Sequence, residues 1–135
     1  MELKRVVVTG LGALTPIGNT VSEYWNGLVS GKSGANNITY FDASNFKTQF
    51  ACELKGFNAE DFMDRKLARK MDRFAQYAIV SSEEAIADSR LIEDDVDKDR
   101  TGVIWGAGIG GLETFQNEGL GFAVMGGGNK DKGGD

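Results

Sequence analysis

The chain has 135 residues, 41% of them apolar, and carries a formal net charge of −5 from 15 Lys plus Arg against 20 Asp plus Glu. That length suits one domain with a core of its own, and the acidic balance argues against nucleic acid as a partner. No apolar run approaches the ~20 residues of a membrane span, histidine is absent, and Cys52 is the single cysteine, so no disulfide framework, thiolate metal cluster or imidazole chemistry is expected.

The chain opens with Glu2, Lys4 and Arg5 and then Val6-Val7-Val8-Thr9-Gly10-Leu11-Gly12. The valine run predicts a strand covered on both faces, and it is too short for the apolar core of a secretory signal, so a cytoplasmic address is expected. Gly10 and Gly12 punctuate the exit, and Pro16 sets a turn. Thr20-Val21-Ser22-Glu23 has the form of a capping box, and Val21, Trp25, Leu28 and Val29 follow at helical spacing until residues 31–34, Gly-Lys-Ser-Gly, end the helix. Residues 35–47 are turn-rich, and residues 49–53 alternate well enough for a short strand containing Cys52.

Residues 58–61 predict a short helical turn, followed by a basic knot of Arg65, Lys66, Arg69 and Lys70. The longest helix comes next, with Met71, Phe74, Ala75, Ala78, Ile79, Ser82, Ala85 and Ile86 on one stripe, Asp72 near its start and Arg90 near its end, as the helix dipole favours. Ser81, Ser82, Glu83 and Glu84 are expected as helix surface or packing, and the acidic residues 93–95 as a solvated connector. Residues 101–105 predict a second buried strand, and a Gly-rich loop at 106–111 leads into a helix from about Leu112 that Gly119 and Gly121 weaken. Residues 1–125 form one domain on this reading, with a flexible Gly-rich tail over 126–135.

Three features carry functional weight. Gly106, Gly108 and Gly111 have the spacing of a dinucleotide loop between a strand and a helix. The acidic residue that such a loop needs about 20 positions on, at the end of another strand, is missing, so glycines for close strand–helix packing are the stronger expectation. The basic knot places Lys66, Arg69 and Lys70 on one helical face of an acidic chain, a pattern that steers an anionic partner or else forms a solvated helix face. Cys52 has no histidine to activate it and reads as packing rather than as a nucleophile.

The opening strand and loop, the 31–34 turn, the basic knot with its helix, and the second strand with its Gly loop together resemble the β-ketoacyl-acyl-carrier-protein synthases of the type II class, in particular the synthase II enzymes. The resemblance runs from about Lys4 to about Asn117. It implies an α/β fold: the first part of the amino-terminal half of a thiolase-like fold, incomplete and normally dimeric. The activity it implies is extension of an acyl thioester by two carbons with malonyl-acyl-carrier protein in fatty-acid biosynthesis.

By the same resemblance, Lys66, Arg69 and Lys70 match the positions that dock acyl carrier protein, and Gly108 and Ile109 match the wall of the acyl tunnel. The family's catalytic Cys and its two His residues have no counterpart here, so no catalytic residue is assigned and the chain alone is expected to be inactive. Expected partners are acyl carrier protein and acyl thioesters, with no cofactor, metal, nucleic acid or membrane. The rivals are a non-catalytic ketosynthase-like scaffold that docks the same carrier, and a nucleotide-binding domain built on residues 106–111.

Overall fold

A computed structural model describes residues 3–92 and 96–126. In chain order the elements are helix α1 (Val21–Val29), strands β1 (Asn36–Asn37) and β2 (Phe50–Ala51), a 3-10 turn (Ala59–Asp61), helix α2 (Arg65–Ala68), helix α3 (Arg73–Ser89), a second 3-10 turn (Lys98–Arg100) and helix α4 (Leu112–Gly126). Helix α3 is the axis. The opening segment and residues 102–107 both run along it, and clefts of about 300 and 440 Å³ lie where the two segments and the helix meet.

Local chemistry sets most boundaries where the sequence puts them. The Thr20 hydroxyl accepts the Glu23 N–H at 3.2 Å and caps α1. The Glu23 carboxylate reaches back to the Asn19 N–H at 2.8 Å, one residue beyond the usual capping-box target. Around Pro16, Thr15 and Gly18 exchange backbone hydrogen bonds of 2.9 and 3.2 Å, the predicted turn. Asn58 caps the first 3-10 turn and Asp64 caps α2. Helix α3 ends with Arg90 in the left-handed region (φ 57°), its N–H bonded to the Ala87 and Ile86 carbonyls.

Several expectations are corrected. Residues 6–8 and 103–105 have no regular secondary structure, neither segment joins a ladder among the described residues, and both are exposed: Val6 by 88% and Ile104 by 99%. A valine run is a buried strand only when neighbours pair its backbone and cover both faces; here no strand flanks either segment among the described residues. The sheet present is instead a two-residue antiparallel pair, Asn36 opposite Ala51 and Asn37 opposite Phe50, so the turn-rich passage holds β1. Within α1 only Gly27 is buried; Trp25, Leu28 and Val29 face outward. Helix α4 runs through Gly119 and Gly121 to Gly126, so the tail expected from residue 126 loses its first residue to the helix. The rest of that tail and the acidic connector 93–95 lie outside the described residues.

The expected sizeable core is also absent among the described residues. Only Ala43, Ala68 and Val80 are buried apolar residues, with Ser81 beside them. The accessible surface is 11730 Å², against about 6900 Å² for a compact protein of this mass. Apolar side chains are plentiful, but most of the large ones stay exposed.

Candidate functional site: a basic turn and two glycine loops

The first glycine loop is pressed onto α3. A Cβ on Gly12 would lie 1.8 Å from the Ser81 carbonyl oxygen, and one on Gly10 would lie 2.2 Å from that of Ala85. No other residue fits at either position. At this approach the loop amides must find acceptors, and α3 supplies two carboxylates four residues apart. Glu84 accepts the Ala13 and Val21 N–H groups, each at 2.8 Å, and Asp88 accepts the Leu11 N–H at 2.9 Å. Glu84, expected as helix surface or packing, is therefore the clamp joining the opening loop and the start of α1 to α3. The available signal was the pairing of Glu84 and Asp88 on one helix face amid the small residues Ser81, Ala85 and Ser89.

The second loop divides into two halves. A Cβ on Gly106 or Gly108 would meet nothing within 4 Å, so close packing does not explain these two glycines. Gly110 and Gly111 are held: a Cβ at 110 would meet the Phe74 ring at 2.7 Å, and Gly111 is left-handed (φ 73°), 3.0 Å from the Asp72 carboxylate by the same measure. Asp72 occupies the N-cap position of α3 but makes no side-chain cap there. Its carboxylate accepts the Thr114 hydroxyl at 2.6 Å and the Thr114 N–H at 3.2 Å, in the first turn of α4. Beside it Arg73 pairs with Glu113 at 3.3 Å. Ile109 projects from the free half of the loop and is 76% exposed, so it is not core. The adjoining 440 Å³ cleft is lined by Trp105, Gly106 and Ala107 rather than by Ile109.

These bonds weaken the nucleotide reading. Pyrophosphate recognition needs unsatisfied amides at a loop and helix amino terminus. In both glycine loops the chain's own carboxylates take amides at that place: Asp88 and Glu84 in the first, Asp72 in the second.

The basic knot forms a compact turn. The Asp64 carboxylate accepts the Lys66 and Leu67 N–H groups at 2.8 and 3.3 Å, starting α2. The helical hydrogen bonds pass from Ala68 and Arg69 into the tighter bonds of Lys70 and Met71. The predicted shared face is thus one turn of α2 plus its exit rather than a continuous helix. Gln76 ties this turn to α3, donating to the Ala68 and Met71 carbonyls at 2.8 and 3.1 Å. Arg65 pairs with Glu60 at 3.3 Å. Lys66, Arg69 and Lys70 are exposed and make no ion pair among the described residues.

Behind the turn, the Arg73 guanidinium lies 4.2 Å over the Tyr40 ring, and Phe57 meets Tyr77 edge to face at 5.1 Å. Burial, and then the neighbouring Tyr40 hydroxyl, push the Tyr77 phenol up to about 12. Cys52 is exposed just past β2, so the packing role expected for it does not hold. Among the described residues no group of His, Cys, Asp and Glu could hold a metal, and no helix is long and apolar enough to cross a membrane.

A glycine-cornered opening segment clamped to a central helix, a basic turn before that helix and a second glycine loop after it define a ketosynthase-type amino-terminal unit. The family model described as the β-ketoacyl synthase amino-terminal domain matches residues 3–130, and the chain belongs to that family. Among its relatives is the 3-oxoacyl-[acyl-carrier-protein] synthase 2 of Synechocystis sp., 49% identical over 118 residues that make up 87% of this chain and 28% of the relative. A β-ketoacyl synthase from Burkholderia phymatum matches in structure with a TM-score of 0.70 and 30% identity, over 96% of this chain and 32% of that one. The ketosynthase complex AntDE:AntF, a type II PKS acyl-carrier protein with its ketosynthase bound to the hexaketide, matches with a TM-score of 0.66 and 28% identity, over 89% of this chain and 32% of that one. The chain thus spans under a third of the length of these proteins, and its fold is that of the amino-terminal part of the thiolase-like ketosynthases.

Proposed function

We propose that this chain supplies the carrier-protein docking turn and part of the acyl-chain wall of a 3-oxoacyl-[acyl-carrier-protein] synthase, an acyltransferase that elongates acyl thioesters with malonyl-acyl-carrier protein in fatty-acid biosynthesis. The observation that carries the reading is the exposed trio Lys66, Arg69 and Lys70, free of ion pairs among the described residues, in a chain of net charge −5. Cations presented this way on a turn braced by Asp64 and Gln76 accelerate encounter with an acidic surface and set its register. That matches an acyl carrier protein, whose recognition helix is acidic. A ketosynthase neighbour in complex with its own carrier protein supports the same partner.

In this account Gly108 and Ile109 contribute an apolar, sterically open stretch suited to an acyl chain. The chain has no histidine, and its one cysteine, Cys52, stands exposed just past β2, remote in sequence from both glycine loops. The stretch alone therefore offers docking without condensation. The whole enzyme works as a homodimer in the cytoplasm on this reading.

The test is a titration of acyl carrier protein into the chain. Saturable binding that weakens as salt rises is expected, with loss of at least tenfold in affinity on reversing Lys66, Arg69 and Lys70 together to Glu. Binding untouched by the triple reversal would remove the docking assignment. A condensation assay on the chain alone is expected to read background, and turnover above it would contradict the assignment of chemistry elsewhere.

A further inference from the structure

Between the basic turn and the held end of the second glycine loop, next to Gly108 and Ile109 in the chain, runs a series of hydrogen bonds and contacts, and Asp72 is its centre. Upstream, the two Gln76 hydrogen bonds fix the exit of α2 to the first turn of α3. Downstream, three successive residues of α3's start each hold one piece of the loop and α4: Asp72 holds Thr114, Arg73 holds Glu113, and the Phe74 ring lies against Gly110. The carboxylate that would ordinarily cap its own helix is spent on the other one. Gly111, in the left-handed region at the start of α4, has no side chain to cap with, so the cap comes from Asp72 across 42 residues.

We infer that Asp72 is a positioning residue that couples the docking turn to the Gly108–Ile109 wall. It caps α4 in trans, so a partner seated on Lys66, Arg69 and Lys70 shifts the frame that holds the acyl-facing loop. The inference rests on the docking reading above for the identity of the partner, an acidic carrier-protein surface. The bonds themselves stand independently of it. Arg73–Glu113 is an exposed pair that contributes little alone, whereas the Asp72 bonds are charge-assisted and satisfy a helix-terminal amide. Asp72 therefore dominates the link.

The experiment is an amide-resolved NMR titration of the whole chain with acyl carrier protein. In the unaltered chain, resonances of Lys66–Lys70 and of Gly108–Thr114 are expected to move together with one midpoint. In Asp72→Ala the turn resonances still move, with a midpoint within about twofold, the loop resonances stay still, and the Thr114 amide exchanges with solvent about tenfold faster. Asp72→Asn, which keeps an acceptor oxygen, restores the joint response. Should Asp72→Ala fail to fold, Thr114→Val removes the 2.6 Å bond alone and is expected to weaken the loop response without silencing the turn.

Joint movement that survives in Asp72→Ala would overturn the coupling. So would a loop that ignores the carrier while the turn responds, an outcome that leaves the docking reading intact. If neither region responds, the docking reading fails and the coupling falls with it. If Asp72→Ala speeds exchange in the first turn of α3 rather than at Thr114, the residue is an ordinary cap of its own helix and the assignment is wrong.

Discussion

The two glycine loops share a sequence signature and have opposite structures. In the first, Gly10 and Gly12 leave no room for a methyl group, and two loop amides, with that of Val21 at the start of α1, end on α3 carboxylates. In the second, Gly106 and Gly108 stand in open space, and only the glycines next to α4 are packed. The first loop is therefore a structural weld. The second is a weld at one end and a free surface at the other, and the free end carries Ile109. A glycine pattern alone does not report which is which; the atoms that face the missing Cβ do.

The largest effect that would break this contrast falls on the weld. Gly12→Ala drives a Cβ into the Ser81 carbonyl and is expected to cost about 3 kcal/mol or to prevent folding, read by chemical denaturation. Stability within error of the parent would mean the loop is not seated on α3. Next comes Glu84→Ala, which strands the Ala13 and Val21 amides. About 2 kcal/mol is expected, with Glu84→Gln intermediate because one acceptor oxygen remains; equal costs for the two variants would point to charge rather than to the hydrogen bonds.

A smaller effect comes from pH. Hydrogen bonding from the Thr39 hydroxyl, aided by the Thr39 and Tyr40 amides, holds the Glu53 carboxyl below its ordinary value of 4.5. A lowered folded-state pKa contributes stability that is present above the ordinary value and lost as pH falls through the folded one. The link from Glu53 to residues 39 and 40 should thus weaken on the acid side of 4.5, and Glu53→Gln should flatten that part of the profile. Tyr77 acts with the opposite sign. Raised to about 12, it favours the folded state up to the ordinary tyrosine range near ~10, and its contribution is lost as pH climbs from there to the raised value. The smallest effect belongs to Gly108→Ala, expected to change stability by less than about 0.5 kcal/mol because nothing faces the added methyl group. A cost matching that of Gly12→Ala would erase the difference between the loops.

Much of this was legible in the residues. Caps are local chemistry, so Thr20, Asn58, Pro16 and the long helix with Asp72 and Arg90 at its ends could be placed from spacing alone. Family membership followed from several motifs in a fixed order, which the match over residues 3–130 bears out. The strands were misread because burial is not a property of a segment. Val6–Val8 and Val103–Trp105 carry strand-forming side chains, yet without a paired neighbour they form no strand and stay exposed. The roles of Glu84, Asp88 and Asp72 were hidden for a related reason: each bonds to a backbone amide 42 to 77 residues away, and amides leave no trace in sequence. Ile109 was assigned by the resemblance alone, and its exposure shows only that it is not core.

The central claim is that the turn at Lys66, Arg69 and Lys70 recognises its partner by position and not merely by charge. The most direct measurement compares acyl carrier protein binding to two double reversals with the same change in net charge: Arg69→Glu with Lys70→Glu on the turn, and Lys98→Glu with Arg100→Glu on the second 3-10 turn. The account predicts at least tenfold weaker binding for the first pair and less than twofold for the second. Equal losses from both pairs would show that the carrier responds to overall charge, and the docking turn would lose its assignment.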